Sequence, residues 1–172
     1  MAIREESLST AEEHPLEEPT VVVRVPFPRD LPAIVAIDGA WSGRERKGYL
    51  EARLNRAMRP SGISLARVAE TDGEVVGFLF GEVTRGEFGR TEPVAWIDTF
   101  GVRRDQVRRG VGSSLLVDFM NHARALDVDC VRTILDPKDE ELTDFLERHE
   151  FRVAPTKIVE KSLKTAGGAR SR

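Results

Sequence analysis

The sequence predicts a mixed α/β domain: a central, largely antiparallel twisted sheet flanked by about four helices. Three observations predict it. Hydrophobic periodicity switches repeatedly between the two-residue repeat of strands and the 3.6-residue repeat of helices. Two strand-like runs meet at Asp72-Gly73, a dipeptide that favours the backbone of a tight hairpin turn. A third strand-like run then passes through a glycine-containing loop into a long amphipathic helix, which puts strands and helices in alternation.

The elements follow in order. Val21-Val22-Val23-Arg24-Val25 is β-branched and stops at Pro26, which reads as a strand. Asp30 is placed to cap a helix carrying Leu31, Ile34, Val35 and Ile37, with Pro32 tolerated in its first turn. A second helix runs from about Arg44 to Met58, with Tyr49, Leu50, Leu54 and Met58 at helical spacing, and Pro60-Ser61-Gly62 ends it. Ser64 to Glu70 and Glu74 to Val83 are the hairpin strands. Thr84 to Pro93 has no hydrophobic period and reads as a mobile connection. Val94 to Val102 is a strand, and a helix starts near Gly110 with Leu115, Leu116, Phe119, Ala123 and Leu126 on one face. Val131 to Leu135 is a strand, and Asp139 to His149 a helix burying Leu142, Phe145 and Leu146. Phe151 to Val153 and Lys157 to Leu163 read as two terminal strands. The whole is a mixed sandwich, not a doubly wound nucleotide fold.

Composition narrows the function. The chain has 172 residues, 40% hydrophobic and 32% charged, which suits one domain that fills its own core. A formal net charge of −3 gives no global field toward nucleic acid. The single cysteine, Cys130, rules out an intrachain disulfide and reads as a small buried hydrophobe. His14, His122 and His149 lie too far apart for the usual short spacing of a metal pair, so no metal is expected; the last two read as surface or packing residues. No apolar run reaches the length of a membrane span, and the amino terminus lacks the apolar core of a secretory signal. The expectation is a cytoplasmic protein with a flexible acidic tail at 1–20, a domain at 21–164 and a second tail at 165–172.

The run from Val94 to Leu116 carries the chemistry: Val-Ala-Trp-Ile-Asp-Thr-Phe-Gly-Val-Arg-Arg-Asp-Gln-Val-Arg-Arg-Gly-Val-Gly-Ser-Ser-Leu-Leu. The first turn of its helix presents backbone N–H groups and the positive end of the macrodipole. Gly110 and Gly112 let a ligand come close to the backbone, an arrangement that suits a diphosphate, and Arg103, Arg104, Arg108 and Arg109 add positive charge. Taken alone, the same residues also suit an ordinary glycine-rich helix start with solvated arginines. The run is neither a Walker loop, which ends in Gly-Lys-Ser/Thr, nor Gly-x-Gly-x-x-Gly, because position 115 is Leu115.

The run resembles the central motif of the GNAT superfamily of acyl-CoA-dependent N-acyltransferases, a strand ending in Val followed by Arg/Gln-x-x-Gly-x-Gly/Ala. Val102 ends the strand and Gly110-Val111-Gly112 supplies the glycines. The resemblance implies acetyl-CoA as co-substrate, its pyrophosphate on backbone N–H groups and its pantetheine arm along the strand edge. The implied contacts are Phe100, Gly101, Val102, Arg104, Arg109, Gly110, Val111, Gly112, Ser113 and Ser114. One departure is Val107, which stands where the motif has Arg or Gln. The likeness extends in order over residues 21–163, through Ile37-Asp38, the Glu74-to-Gly81 strand and the segment from Asp136 to Phe151.

The implied reaction is transfer of an acetyl or other short acyl group to a primary amine in a ternary complex. Many members of the family use a tyrosine on the late helix to protonate the leaving thiolate. Here that position is Leu146, and the usual asparagine nearby is Asp139. The sole tyrosine, Tyr49, reaches such a site only if its helix lies over it; helix packing explains it equally well. Asp98, on the strand before the loop, is the first choice for general base, as a carboxylate whose affinity for protons rises in a partly buried cleft, with Glu82 in reserve. A backbone N–H near Phe100 or Val102 is the expected oxyanion donor. The acceptor is a small molecule, a protein lysine or a protein N-terminus. Glu45, Glu51, Glu82 and Asp98 favour a cationic one if they surround the cleft, whereas Arg44-Glu45-Arg46-Lys47 is either a solvated face or a contact to an acidic substrate. The alternative is a catalytically silent acyl-CoA-binding module, motivated by Leu146. No nucleic-acid or membrane partner is expected, and a homodimer is an expectation from the family.

Overall fold

The structure, a computed structural model, describes residues 20–59, 64–85 and 91–163. The expected tails, Thr20 apart, and the middle of the expected 84–93 loop lie outside the described residues. The chain divides into two units, Met1–Ile134 and Leu135–Arg172.

In the first unit, β1 (Val22–Arg24) leads through a short 3-10 turn, Pro28–Asp30, into α1 (Leu31–Ser42) and α2 (Lys47–Ala57). The hairpin follows as β2 (Ser64–Thr71) and β3 (Glu74–Thr84), then β4 (Val94–Val102), a 3-10 turn at Arg104–Gln106, α3 (Val111–Ala125) and β5 (Cys130–Thr133). The five strands form one sheet in sequence order, antiparallel except for the parallel pair β4–β5. The fold is thus the mixed, mostly antiparallel α/β architecture that the sequence predicts. Asp72 and Gly73 both take positive φ (52° and 80°), so the hairpin turn forms where expected. Gly43 ends α1 in the left-handed conformation, a common helix stop. α2 starts at Lys47, later than expected.

Alternation along the strands gives the sheet two apolar faces. Ala66, Val68, Phe78 and Phe80 meet Ile34, Ile37, Leu50 and Leu54 from α1 and α2 in one buried cluster. On the opposite face, Gly77 and Gly81 let α3 lie close. A Cβ on Gly77 would come within 2.9 Å of Val111 Cγ1, and one on Gly81 within 2.7 Å of the Phe119 ring. Arg67 on β2 and Asp118 on α3 form an ion pair across this face. Cys130 is exposed on β5, which corrects the expectation of a buried thiol. The strand is short and at the sheet edge, so a residue there has water on one side.

Asp30 does not cap α1 as expected. Its carboxylate accepts the Phe27 N–H at 2.7 Å and two hydrogen bonds from the Arg24 guanidinium at 2.7 and 3.0 Å, closing the 3-10 turn before the helix. Arg24 also donates to Glu70 at 2.8 Å, tying β1 to β2. Burial pushes the Asp30 carboxyl up, but the Arg24 and Phe27 hydrogen bonds outweigh it and hold it below the ordinary carboxylate value. A depressed carboxylate contributes stability that is complete above its unfolded value and is lost as pH falls through the folded one. Asp30→Ala is therefore expected to cost about 2 kcal/mol at neutral pH, because it removes the charge-assisted hydrogen bonds from Arg24 and the bond from the Phe27 N–H, while Glu70 still pairs with Arg24. Urea unfolding checks this, and the gap to wild type should narrow as pH is taken below about 4.

The second unit contains α4 (Glu140–Arg148). Asp139 caps it by accepting the Leu142 N–H at 3.3 Å, and the Phe145 and His149 rings lie 4.7 Å apart. The two strands expected at Phe151–Val153 and Lys157–Leu163 do not form, since the described chain after α4 has no strand or helix. Val153, Val159 and Leu163 are 99%, 90% and 88% exposed. β-branched residues favour a strand only when a neighbour strand or a core face receives them.

Candidate active site

The site grows from one irregularity in β4. Phe80 pairs with Thr99 and Gly81 with Ile97, so Asp98 has no counterpart on β3 and forms a bulge. Gly81 is required opposite it, since any Cβ there would sit 2.2 Å from the Trp96 carbonyl oxygen. The bulge turns two consecutive side chains toward α2. Asp98 forms an ion pair with Arg53, and Thr99 Oγ1 lies 3.2 Å from the Tyr49 hydroxyl. Glu82, on β3, lies 3.5 Å from Arg53 and 3.3 Å from Arg56. The structure thus brings Asp98, Glu82 and Tyr49 to one place, from three elements. Asp98 and Glu82 are not bare carboxylates in an apolar cleft. Both pair with the Arg53 guanidinium.

Pairing with β5 stops at Ile97–Thr133, whereas β4 runs on to Val102. The Arg103 N–H donates to the Val76 carbonyl at 2.8 Å, which fixes the parity of the strand. In an antiparallel pair alternate residues turn their backbone groups to opposite sides, so Thr99 and Gly101 face β3 while Phe100 and Val102 face away. The Val102 carbonyl accepts the Trp41 indole N–H at 2.7 Å, which pins the end of α1 to the end of β4.

The chain then turns into α3 through two left-handed residues, Arg108 (φ 63°) and Gly110 (φ 80°). The Ser114 N–H makes a helical bond to the Gly110 carbonyl at 2.9 Å, so the Val111 and Gly112 N–H groups precede it and point out of the helix end. A Cβ on Gly110 would meet nothing within 4 Å, so the backbone just before the helix is open on that side. The expected contact residues from Phe100 to Ser114 form one continuous stretch, but they do different things. Gly101 packs, since a Cβ there would lie 2.9 Å from the Phe78 ring, and Val111 is buried beside Gly77. The Arg104 guanidinium lies 4.1 Å from the Trp41 ring centroid and donates to the Ala40 carbonyl at 2.7 and 3.1 Å. It braces α1. Arg109 is exposed at the helix start, whereas Arg103 is held by Glu74 and Asp105, whose hydrogen bonds raise its already high pKa.

Arg53 and Arg56 are site residues that the sequence reading did not single out. The available signal was spacing. Arg46, Tyr49, Arg53 and Arg56 recur at steps of three and four, one face of a helix. Arg46 pairs with the buried Asp38, and its guanidinium lies 5.3 Å from the Tyr49 ring centroid.

The model of the acetyltransferase (GNAT) family matches residues 33–151. The chain belongs to the GNAT acetyltransferase family. The match spans the elements just described, from α1 to the end of α4, including the bulge and the glycine loop. No curated protein matches this GNAT chain in sequence. Among solved structures, a transcriptional regulator from Bacillus halodurans C-125 has a TM-score of 0.70 at 19% identity, covering 83% of this chain and 99% of its own. An aminoglycoside N-acetyltransferase solved in complex with CoA has a TM-score of 0.72 at 12% identity, over 85% and 97%. A ribosomal-protein-alanine N-acetyltransferase from Brucella melitensis biovar Abortus 2308 has a TM-score of 0.67 at 16% identity, over 83% and 100%. At such identities the likeness is one of fold. Among the described residues, no helix of the GNAT chain is long and apolar enough to cross a membrane.

Proposed function

We propose that this GNAT protein transfers an acetyl or other short acyl group from acyl-CoA to a primary amine, working in the cytoplasm. The observation that carries this reading is the continuity of β4 with the start of α3. A strand that runs five residues past its pairing with β5 leads directly into a helix start at Gly110, where the position of a Cβ is open. Those features suit a thread-like arm ending in a diphosphate. Val102 N–H and Phe100 would align the arm, and Gly110, Val111, Gly112, Ser113 and Ser114 would hold the phosphates, with Arg109 beside them. When bound, acetyl-CoA supplies the activated acetyl group. Arg104 acts one step removed, by fixing the end of α1.

The chain's own side chains handle protons and position. Asp98 receives the acceptor's ammonium and takes its proton, directly or through water, and Glu82 supports it. Tyr49 is the proton donor for the departing thiolate. Its hydroxyl is set beside the bulge by Thr99, and Leu146, at the family's usual tyrosine position, has no proton to give. Tyr49→Phe is expected to lower kcat by about 10- to 100-fold with little change in KM for the acyl donor. Thiol release measured across pH checks this, and a loss confined to KM would contradict it.

The experiment for the reading as a whole follows free thiol and acylated amine together, with acetyl-CoA and a panel of primary amines. Equal yields of thiol and amide are expected. Bound acetyl-CoA with no amide from any acceptor would favour the second reading, a silent acyl-CoA-binding module, for which Leu146 is the supporting observation.

A further inference from the structure

We infer that the acceptor of this GNAT protein carries a carboxylate close to its reactive amine, and that Arg56 receives it. This rests on the amine-acyltransferase reading above and deepens it. Two carboxylates, Asp98 and Glu82, meet α2 at the bulge, and a third, Asp38 on α1, pairs with Arg46 at the start of α2, so each already has a guanidinium: Asp38 with Arg46, Asp98 with Arg53, and Glu82 with both Arg53 and Arg56. The three arginines and Tyr49 form one stripe along α2. The face is charge-balanced, not acidic. Of the four acidic residues expected to favour a cationic acceptor, Glu82 and Asp98 are thus already paired with guanidinium groups.

Pair exchange decides between acceptor classes. A polyamine entering here takes a carboxylate and leaves a guanidinium without its counter-ion, at a desolvation cost that the new pair must offset. An amine that carries its own carboxylate exchanges partners without loss. Its ammonium takes Asp98, and its carboxylate takes the guanidinium side. Arg53 is only 17% exposed and bridges two carboxylates, so it stays in place. Arg56 is 63% exposed, and the one ion pair it makes among the described residues is the 3.3 Å contact with Glu82. A guanidinium has five donors in a planar fork, which matches a carboxylate in two parallel hydrogen bonds. Arg56 thus has both the exposure and the donors to receive an incoming anion at the mouth of the bulge.

The test measures thiol release from acetyl-CoA with matched acceptors: tyrosine against tyramine, lysine against cadaverine, and amidated dipeptides with glutamate or lysine second, plus spermidine. Wild type is expected to favour the carboxylate member of at least one pair about 10- to 100-fold in kcat/KM, the size of a charge-assisted hydrogen bond. Preference among the free amino acids marks the α-carboxylate as the group read, and preference among the dipeptides marks a side-chain carboxylate. Arg56→Gln should erase the gap mainly through KM, Arg56→Lys should keep part of it, and Arg56→Glu should reverse it toward tyramine and spermidine. Equal turnover within every pair, a wild-type preference for spermidine, or a gap unmoved by Arg56→Gln and Arg56→Glu overturns the inference alone. Bound acetyl-CoA with no thiol release from any acceptor overturns the acyltransfer reading, and this inference with it.

Discussion

Gly110→Trp is expected to lower acetyl-CoA affinity more than about 100-fold while the domain still folds. Gly110 is the residue before α3, and open space surrounds the position where its Cβ would stand. An indole there meets no protein atom at Cβ, and its bulk stands at the helix start proposed to receive the diphosphate. The φ of 80° is left-handed, so a non-glycine residue costs about 1–2 kcal/mol in stability. That cost appears in thermal unfolding and the loss of affinity in calorimetric titration, so the two effects separate. Unchanged affinity in the folded variant would remove the helix start from the account.

Asp98→Asn is expected to reduce kcat by about 100- to 10,000-fold, the range spanned by a lost general base. The amide keeps the size of the side chain and one acceptor for Arg53, so the bulge, which the register and Gly81 impose, should persist. Acetyl-CoA affinity should stay close to wild type, because Asp98 faces α2 and not the glycine loop. Steady-state rates beside a binding titration check both halves. A full rate in Asp98→Asn would shift the base role to Glu82, whose own substitution then becomes decisive.

Much of this was legible from residue order. Periodicity located α1 to α4 and the strands β2 to β4, each of which buries residues, while β1 and β5, which bury none, were marked by their β-branched residues. The terminal strands failed: Val153, Ile158, Val159 and Leu163 have strand chemistry but bury nothing. The glycine loop was legible because a left-handed Gly110 leaves a mark in sequence. The bulge was not, because nothing in Ile97-Asp98-Thr99 says that Asp98 lacks a partner across the sheet; that is a property of register with β3. Nor does the sequence show that Tyr49, placed equally well by helix packing, reaches Thr99 on β4. Arg104 illustrates the converse. Its type and place suit an anion, and the structure spends its guanidinium on Trp41 and Ala40.

Amide chemical-shift mapping of the isotope-labelled protein during titration with acetyl-CoA asks directly whether the ligand lies along the end of β4 and the start of α3. The account predicts the largest shifts at Phe100, Val102, Gly110, Val111 and Gly112, with smaller ones at Asp98 and Thr99 and little along β1 and β2. Saturable shifts centred on other elements, or none at all in the folded protein, would contradict it.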